Sequence, residues 1–180
     1  MLQEQTTRFP HKIIRGDCMT DKVTAFKQAL GNYPTGVTVV TAYSDVNEPI
    51  GLTVNSFASV SIDPLLILWS LDKKSQLHPL FSNTDKFAVN ILANDQTQLC
   101  TVFSSKIPDR FAQVKWSNSL HGLPILHDTL ATLQCETYKK IDAGDHTIFI
   151  GHVLEIDNAQ KEPLLYHRRH IGQIPTSFYE

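Results

Sequence analysis

A mainly β fold with peripheral helices, closed into a barrel, is predicted by three observations. About seven segments carry two-residue alternation or short β-branched apolar runs. Helical periodicity is confined to short stretches, and the strands do not alternate regularly with helices as a doubly wound sheet requires. The stretch 51–75, GLTVNSFASVSIDPLLILWSLDKKS, organises the rest. Leu52, Val54, Phe57 and Val60 alternate with Thr and Ser, so 51–61 reads as a strand interrupted near Asn55-Ser56. Asp63-Pro64 is a turn signal, because proline fixes φ and disfavours helix at the residue before it. The run 65–71 is short and apolar on both faces, as in a central strand. Paired, these two strands carry hydroxyls and one amide near one end and Lys and Ser at the other, which suits a flat heteroaromatic ligand with a phosphate tail.

The remaining elements follow in order. Residues 1–19 are polar, contain Pro10 and Gly16 and show no period; a flexible arm or strap is expected, with one domain over 20–180. Thr20-Asp21-Lys22 offers a helix N-cap, Val23, Phe26 and Leu30 follow at helical spacing, and Gly31-Asn32 is a stop. A turn at 33–36 leads into a strand at 37–43, a hairpin loop at 44–49 and a return strand at 50–54. A short helix is expected at 76–81, a strand at 86–92, and a helix at 96–103 capped by Asn94-Asp95. Residues 104–116 read as loop with a short helix near 109–111, and 116–124 as irregular. Two long strands, 130–141 and 146–156, join through a hairpin turn at 142–145. Gly151 inside the second marks a bulge or a close backbone approach. A short strand at 164–167 precedes a polar tail.

Composition narrows the function. With 180 residues, 42% hydrophobic and 19% charged, the chain is an ordinary globular domain able to bury a core. Net charge is −2 without a basic run, so neither nucleic acid nor an anionic membrane surface is indicated. No apolar run reaches a membrane span, and the N-terminus lacks the apolar core of a signal peptide; a cytoplasmic location is expected. Cys18, Cys100 and Cys135 are odd in number and widely spaced, which reads as reduced thiols.

No standard phosphate loop, zinc-protease helix or nucleophile elbow is present. His146 and His152 lie six apart on one expected strand and His167 and His170 three apart near the end, and neither pair has tight metal-ligand spacing; no metal site is expected. Cys100 and Cys135 sit in apolar segments, where a small buried hydrophobe is the simpler role. Gly144-Asp145-His146 either presents an imidazole at the barrel mouth to a ligand amide or phosphate, or merely begins a strand.

Taken together, these segments resemble the flavin reductase-like family, FMN-binding split-barrel proteins that supply reduced flavin to two-component monooxygenases. The likeness rests on YPTGVTVVTA (33–42), the stretch 51–75, FAVNILANDQTQLCTVFS (87–104), RFAQVKW (110–116), GLPIL (122–126), CETYKKIDAGDHTIFIGHV (135–153) and PLLYHRR (163–169), in order and spacing. The resemblance implies a six-stranded Greek-key split barrel, a homodimer with flavin near its interface, and an NAD(P)H:flavin oxidoreductase using FMN or FAD with NADH or NADPH. By analogy Thr53, Val54, Asn55 and Ser56 line the isoalloxazine ring, and Ser70 and Leu71 lie beside it. Lys74 and Ser75 then bind the phosphate, and Thr35 and Gly36 approach the flavin. His146 places the nicotinamide, with Tyr166 and Arg168 in the same region. The expected function is hydride transfer from nicotinamide to flavin, feeding a partner monooxygenase, with no acid–base residue needed. The tail 167–172, His-Arg-Arg-His-Ile-Gly, departs from the family pattern and leaves the nicotinamide contacts open. Two alternatives remain: an FMN-binding electron carrier or flavin store of the same fold, and a cofactor-free interaction module.

Overall fold

The structure is a computed structural model that describes residues 19–179. The arm expected over 1–19 lies outside the described residues except for Met19, and so does Cys18. The chain forms two units, up to Tyr33 and from Pro34 onward. In the first, helix α1 (Met19–Gly31) ends at the predicted glycine, but it starts at Met19, so Thr20 lies inside it instead of capping it.

In the second unit β1 (Thr35–Gly36) precedes β2 (Thr38–Tyr43) and β3 (Pro49–Val54), which form the expected hairpin. Next come β4 (Ala58–Ser61), the Asp63-Pro64 turn, β5 (Leu66–Asp72), α2 (His78–Ser82) and β6 (Lys86–Ile91). Helix α3 (Thr97–Ser104) and a 3₁₀ turn (Arg110–Gln113) follow, then β7 (Trp116–Asn118) and β8 (Pro124–Leu126). The long hairpin is β9 (Ala131–Ala143) with β10 (His146–Asn158), and β11 (Leu165–His167) and β12 (His170–Gly172) close the chain with a last 3₁₀ turn.

Seven strands make one antiparallel sheet in the order β3-β2-β6-β9-β10-β5-β4. Its two edges, β3 and β4, are consecutive in the chain and joined by residues 55–57 alone. Four Cα steps reach about 14 Å at most, whereas a flat seven-stranded sheet would set its edges about 29 Å apart. The sheet therefore curls into a barrel whose β3–β4 seam carries no ladder. This corrects the reading of 51–61 as one interrupted strand paired with 65–71: only β4 pairs with β5, and β3 belongs to the opposite edge.

Alternation on the central strands divides the core in two. Val40 and Ala42 of β2 join Trp69, Phe81, Phe87, Val89 and Phe149 in the barrel interior. Val39 of the same strand packs outward with Cys100, Val102, Phe103 and Phe111 beneath α3. Gly151 lies where the β9–β10 register shifts, and a Cβ there would stand 2.5 Å from Phe87 Cζ, so both expected roles hold.

Three further expectations change. The helix at 96–103 has no Asn94 or Asp95 cap: Gln96 precedes it, and its amide instead accepts from Ala93 N and donates to the His127 carbonyl. Residues 116–124 contribute a β7–β8 ladder instead of irregular chain. The tail doubles back as β12, forming with β1 and β11 a separate three-stranded sheet.

Candidate functional site

An open cleft of about 1140 Å³ runs along the β3 edge, between β3, residues 74–77 and the loop after α3. Gly51 makes the near wall thin: a Cβ there would meet the Phe103 ring at 2.8 Å, so only glycine lets α3 pack this close. Thr53 Oγ1 donates to the Cys100 carbonyl (3.0 Å), tying α3 to the same strand. Arg110 donates to the carbonyls of Gly51 (2.7 Å) and Ser105 (2.6 Å), holding the 105–110 loop against β3. Burial pulls its pKa down from the usual arginine value. Asp109, in the left-handed region at φ 52°, caps the 3₁₀ turn by accepting from Ala112 N.

Two turns meet at one end of the barrel. After β5, Asp72 Oδ1 accepts from Lys74 N (2.8 Å) and the Asp72 carbonyl accepts from Ser75 N (2.9 Å), which bends the chain so that Lys74 stays exposed. Between β9 and β10 the chain reverses over Gly144 and Asp145, Gly144 taking the positive φ (62°) that a two-residue hairpin demands. Lys73 N donates to the Asp145 carbonyl (2.9 Å), locking the two turns together. His146 Nδ1 lies 2.8 Å from Asp145 Oδ1. That hydrogen bond and the imidazole's charge hold the Asp145 carboxyl below its usual pKa, with a small contribution from Lys74. Among the described residues His146 Nε2 has no hydrogen-bond partner.

The predicted residues divide into three groups. Thr53, Lys74 and Ser75 line the cleft, with the His146 turn beside Lys74. Asn55 is exposed on the seam link. Ser56 Oγ accepts from Ser70 N (2.9 Å) and donates to the Ser70 carbonyl (3.0 Å), so its hydroxyl stitches the link to β5. Val54 and Leu71 point into the barrel core and can offer only backbone to a ligand. Thr35, Gly36, Tyr166 and Arg168 gather on the small sheet, where Thr35 faces Tyr166 in register; none of them lines the cleft. Thr35 Oγ1 is buried and has no hydrogen-bond partner among the described residues. Arg168 (φ 49°) and Arg169 (φ 66°) form the β11–β12 turn.

The residues missed from sequence are Ser104, Ser105, Lys106 and Arg110 on the far wall of the cleft. Their signal was a Ser-Ser-Lys run directly after an apolar helix, with a single arginine a few residues on. His146 and His152 are engaged separately, with Asp145 and with Glu136 (2.9 Å), whereas His167 and His170 stand opposite each other in the β11–β12 register. Among the described residues no group of three or more His, Cys, Asp or Glu is placed to hold a metal ion. Burial raises the Cys100 thiol pKa and pushes that of Cys135 up to about 12. No helix among the described residues is long and apolar enough to cross a membrane.

This lining fits a phosphorylated aromatic cofactor: the Ser75 hydroxyl and the Lys74 and Lys106 ammonium groups can donate to phosphate oxygens, and the Thr53 hydroxyl, its proton given to Cys100, can accept from a ring N–H. Comparison with known proteins shows the family. Residues 30–175 match the flavin reductase like domain. The reductase component of a flavin-dependent trigonelline monooxygenase from Acinetobacter baylyi is 42% identical over 148 residues, 82% of this chain and 48% of that protein. This chain thus spans about half the length of that relative. An FMN reductase (NADH) from Agrobacterium fabrum is 44% identical over 142 residues, 79% of this chain and 80% of that one. Among solved structures, an NADH:FAD oxidoreductase from Streptomyces globisporus in complex with NAD and FAD fragments superposes with a TM-score of 0.81 at 32% identity, covering 87% of this chain and 94% of that chain.

Proposed function

Because the chain belongs to the flavin reductase like domain family, we propose that it is an NAD(P)H:flavin oxidoreductase that supplies reduced flavin to a partner monooxygenase. The observation that carries this reading is the locked pair of turns, which sets a cation and hydroxyl at Lys74–Ser75 beside an imidazole at His146 on the rim of a cofactor-sized cleft. The flavin, FMN or FAD, supplies the redox chemistry when bound, accepting a hydride from NADH or NADPH. The chain's residues bind and orient. Lys74, Ser75 and Lys106 hold the phosphate; Thr53, Asn55 and the backbone of 54–56 meet the ring system, with Ser70 and Leu71 beside it. Asp145 orients His146, which leaves Nε2 to bond the nicotinamide nucleotide. Thr35, Gly36, Tyr166 and Arg168 form a second contact surface. No side chain is required as an acid or base. The reductase domain is assigned to 20–180.

A homodimer is part of this reading. Val60, Ile62 and Leu65 on one side and Leu154 and Ile156 on the other expose apolar surface, and Val153 N donating to the Leu65 carbonyl makes the two groups neighbours. A second copy covering that surface accounts for it.

The test is direct. Purified protein is mixed with FMN or FAD, and nicotinamide absorbance is followed after adding NADH, then NADPH. Flavin-dependent oxidation is expected. Tight flavin retention without oxidation would assign an electron carrier or flavin store, and neither behaviour would leave only an interaction module.

A further inference from the structure

We propose that His78 is a positioning residue that holds the His146 turn in register with the Lys74–Ser75 turn, a role that rests on the reductase reading for its kinetic consequence but not for its structural one. His78 opens α2 and touches both turns at once. Its backbone N donates to the Ser75 carbonyl (3.0 Å). Its ring Nε2 lies 2.9 Å from Thr147 Oγ1, directly after His146 on β10. Thr147 is buried and in register with Leu71 of β5 and Asp142 of β9, at the root of the hairpin turn.

The proton count fixes the direction of this chain. A threonine hydroxyl has one proton, and Thr147 donates it to Asp142 Oδ1 (3.0 Å). The lone pair facing His78 must then accept, so Nε2 carries the hydrogen and Nδ1 faces the Ser82 hydroxyl at 3.5 Å. Asp142 in turn lies 3.5 Å from Lys73 Nζ, which donates to the Gly144 carbonyl (3.2 Å). The result is a closed loop of bonds from α2 through β10 and β9 back to the segment after β5. Lys140, donating to the Ser82 (2.7 Å) and Thr84 (3.0 Å) carbonyls, pins the other end of α2 to β9. His78 is thus the described residue of α2 that ties the two turns together, its backbone N bonded to the 74–75 turn and its ring to the buried Thr147 beside the 144–146 turn.

The test compares His78→Ala, His78→Gln (whose amide can still donate) and Thr147→Val, which removes the same bond from the other side together with the bond to Asp142. Amide hydrogen exchange on the flavin-free protein should accelerate at least tenfold in His78→Ala over residues 143–147 and at Lys73, with β6 unchanged and His78→Gln restoring protection. In steady state, His78→Ala should raise the nicotinamide-nucleotide KM five- to tenfold with flavin affinity held within twofold. The double variant His78→Ala/Thr147→Val should be no worse than Thr147→Val alone, which already lacks both the His78 and the Asp142 bonds of that hydroxyl. Exchange that is unchanged at the turn, or faster everywhere including β6, would overturn the proposal by reducing His78 to a general packing residue. Should His78→Ala fail to fold, Thr147→Val must show the local acceleration or the proposal falls. A wild-type protein that oxidises no nicotinamide nucleotide would end the reductase reading, while the exchange measurements would still decide the role of His78.

Discussion

The barrel interior and the cleft rim are held together by opposite means. Inside, Trp69 stacks on Phe149 (4.5 Å, 11°) and meets Phe81 and Phe87 edge-on at 5.2 and 5.7 Å, all fully buried. Dispersion and removal of apolar surface from water fix that arrangement. At the rim, Asp72, Lys73, Ser75, Asp145 and His146 are set by short-range hydrogen bonds among half-exposed groups. The contrast teaches that stability and placement are separable here. Damage inside should cost folding free energy and spare binding, whereas damage at the rim should do the reverse.

The largest expected effect tests the interior. Phe149→Ala deletes the ring stacked on Trp69 and should lower unfolding free energy by about 3–5 kcal/mol in urea melts. Flavin affinity of the remaining folded protein should stay within about twofold; a proportional loss of binding would break the separation. Next comes pH. Burial holds the Cys135 thiol neutral up to about 12, whereas in the unfolded chain it ionises near about 8.5. The folded pKa is the higher one, so its contribution is fully present below the unfolded value and is lost as pH rises toward 12. About 2 kcal/mol should be gone by pH 10, and the alkaline slope in urea melts should flatten in Cys135→Ala. The smallest effect on stability belongs to the rim. His146→Ala should change unfolding free energy by no more than about 0.5 kcal/mol, yet raise the nicotinamide KM more than it weakens flavin binding. Unchanged NADH kinetics would remove His146 from the site.

Much of the fold was legible because it follows from local period and turn chemistry. The β-branched run at 37–43, the reversal at 142–145 and the glycine at 151 are properties of a few neighbouring residues. The cleft was legible in part: Thr53, Lys74 and Ser75 line it, and the His146 turn adjoins it. What stayed hidden depends on distant partners. Val54 and Leu71 turn inward because of where the barrel interior falls, not because of their own neighbours. Ser56 reads as a ligand hydroxyl until the proximity of Ser70 shows that it completes a missing ladder. Gln96 displaces the predicted Asn94-Asp95 cap because the His127 carbonyl comes within reach only in the folded chain. The far wall at 104–110 reads as plain loop until Arg110 fastens it to Gly51.

The link at 55–57 has a consequence for the size of the molecule. With no ladder across the gap, the bore of the cylinder is governed by the tether between its two rims and by the single serine staple at position 56. Adding one residue there loosens the girdle and lets the mouth gape; removing one leaves too little rope to go round.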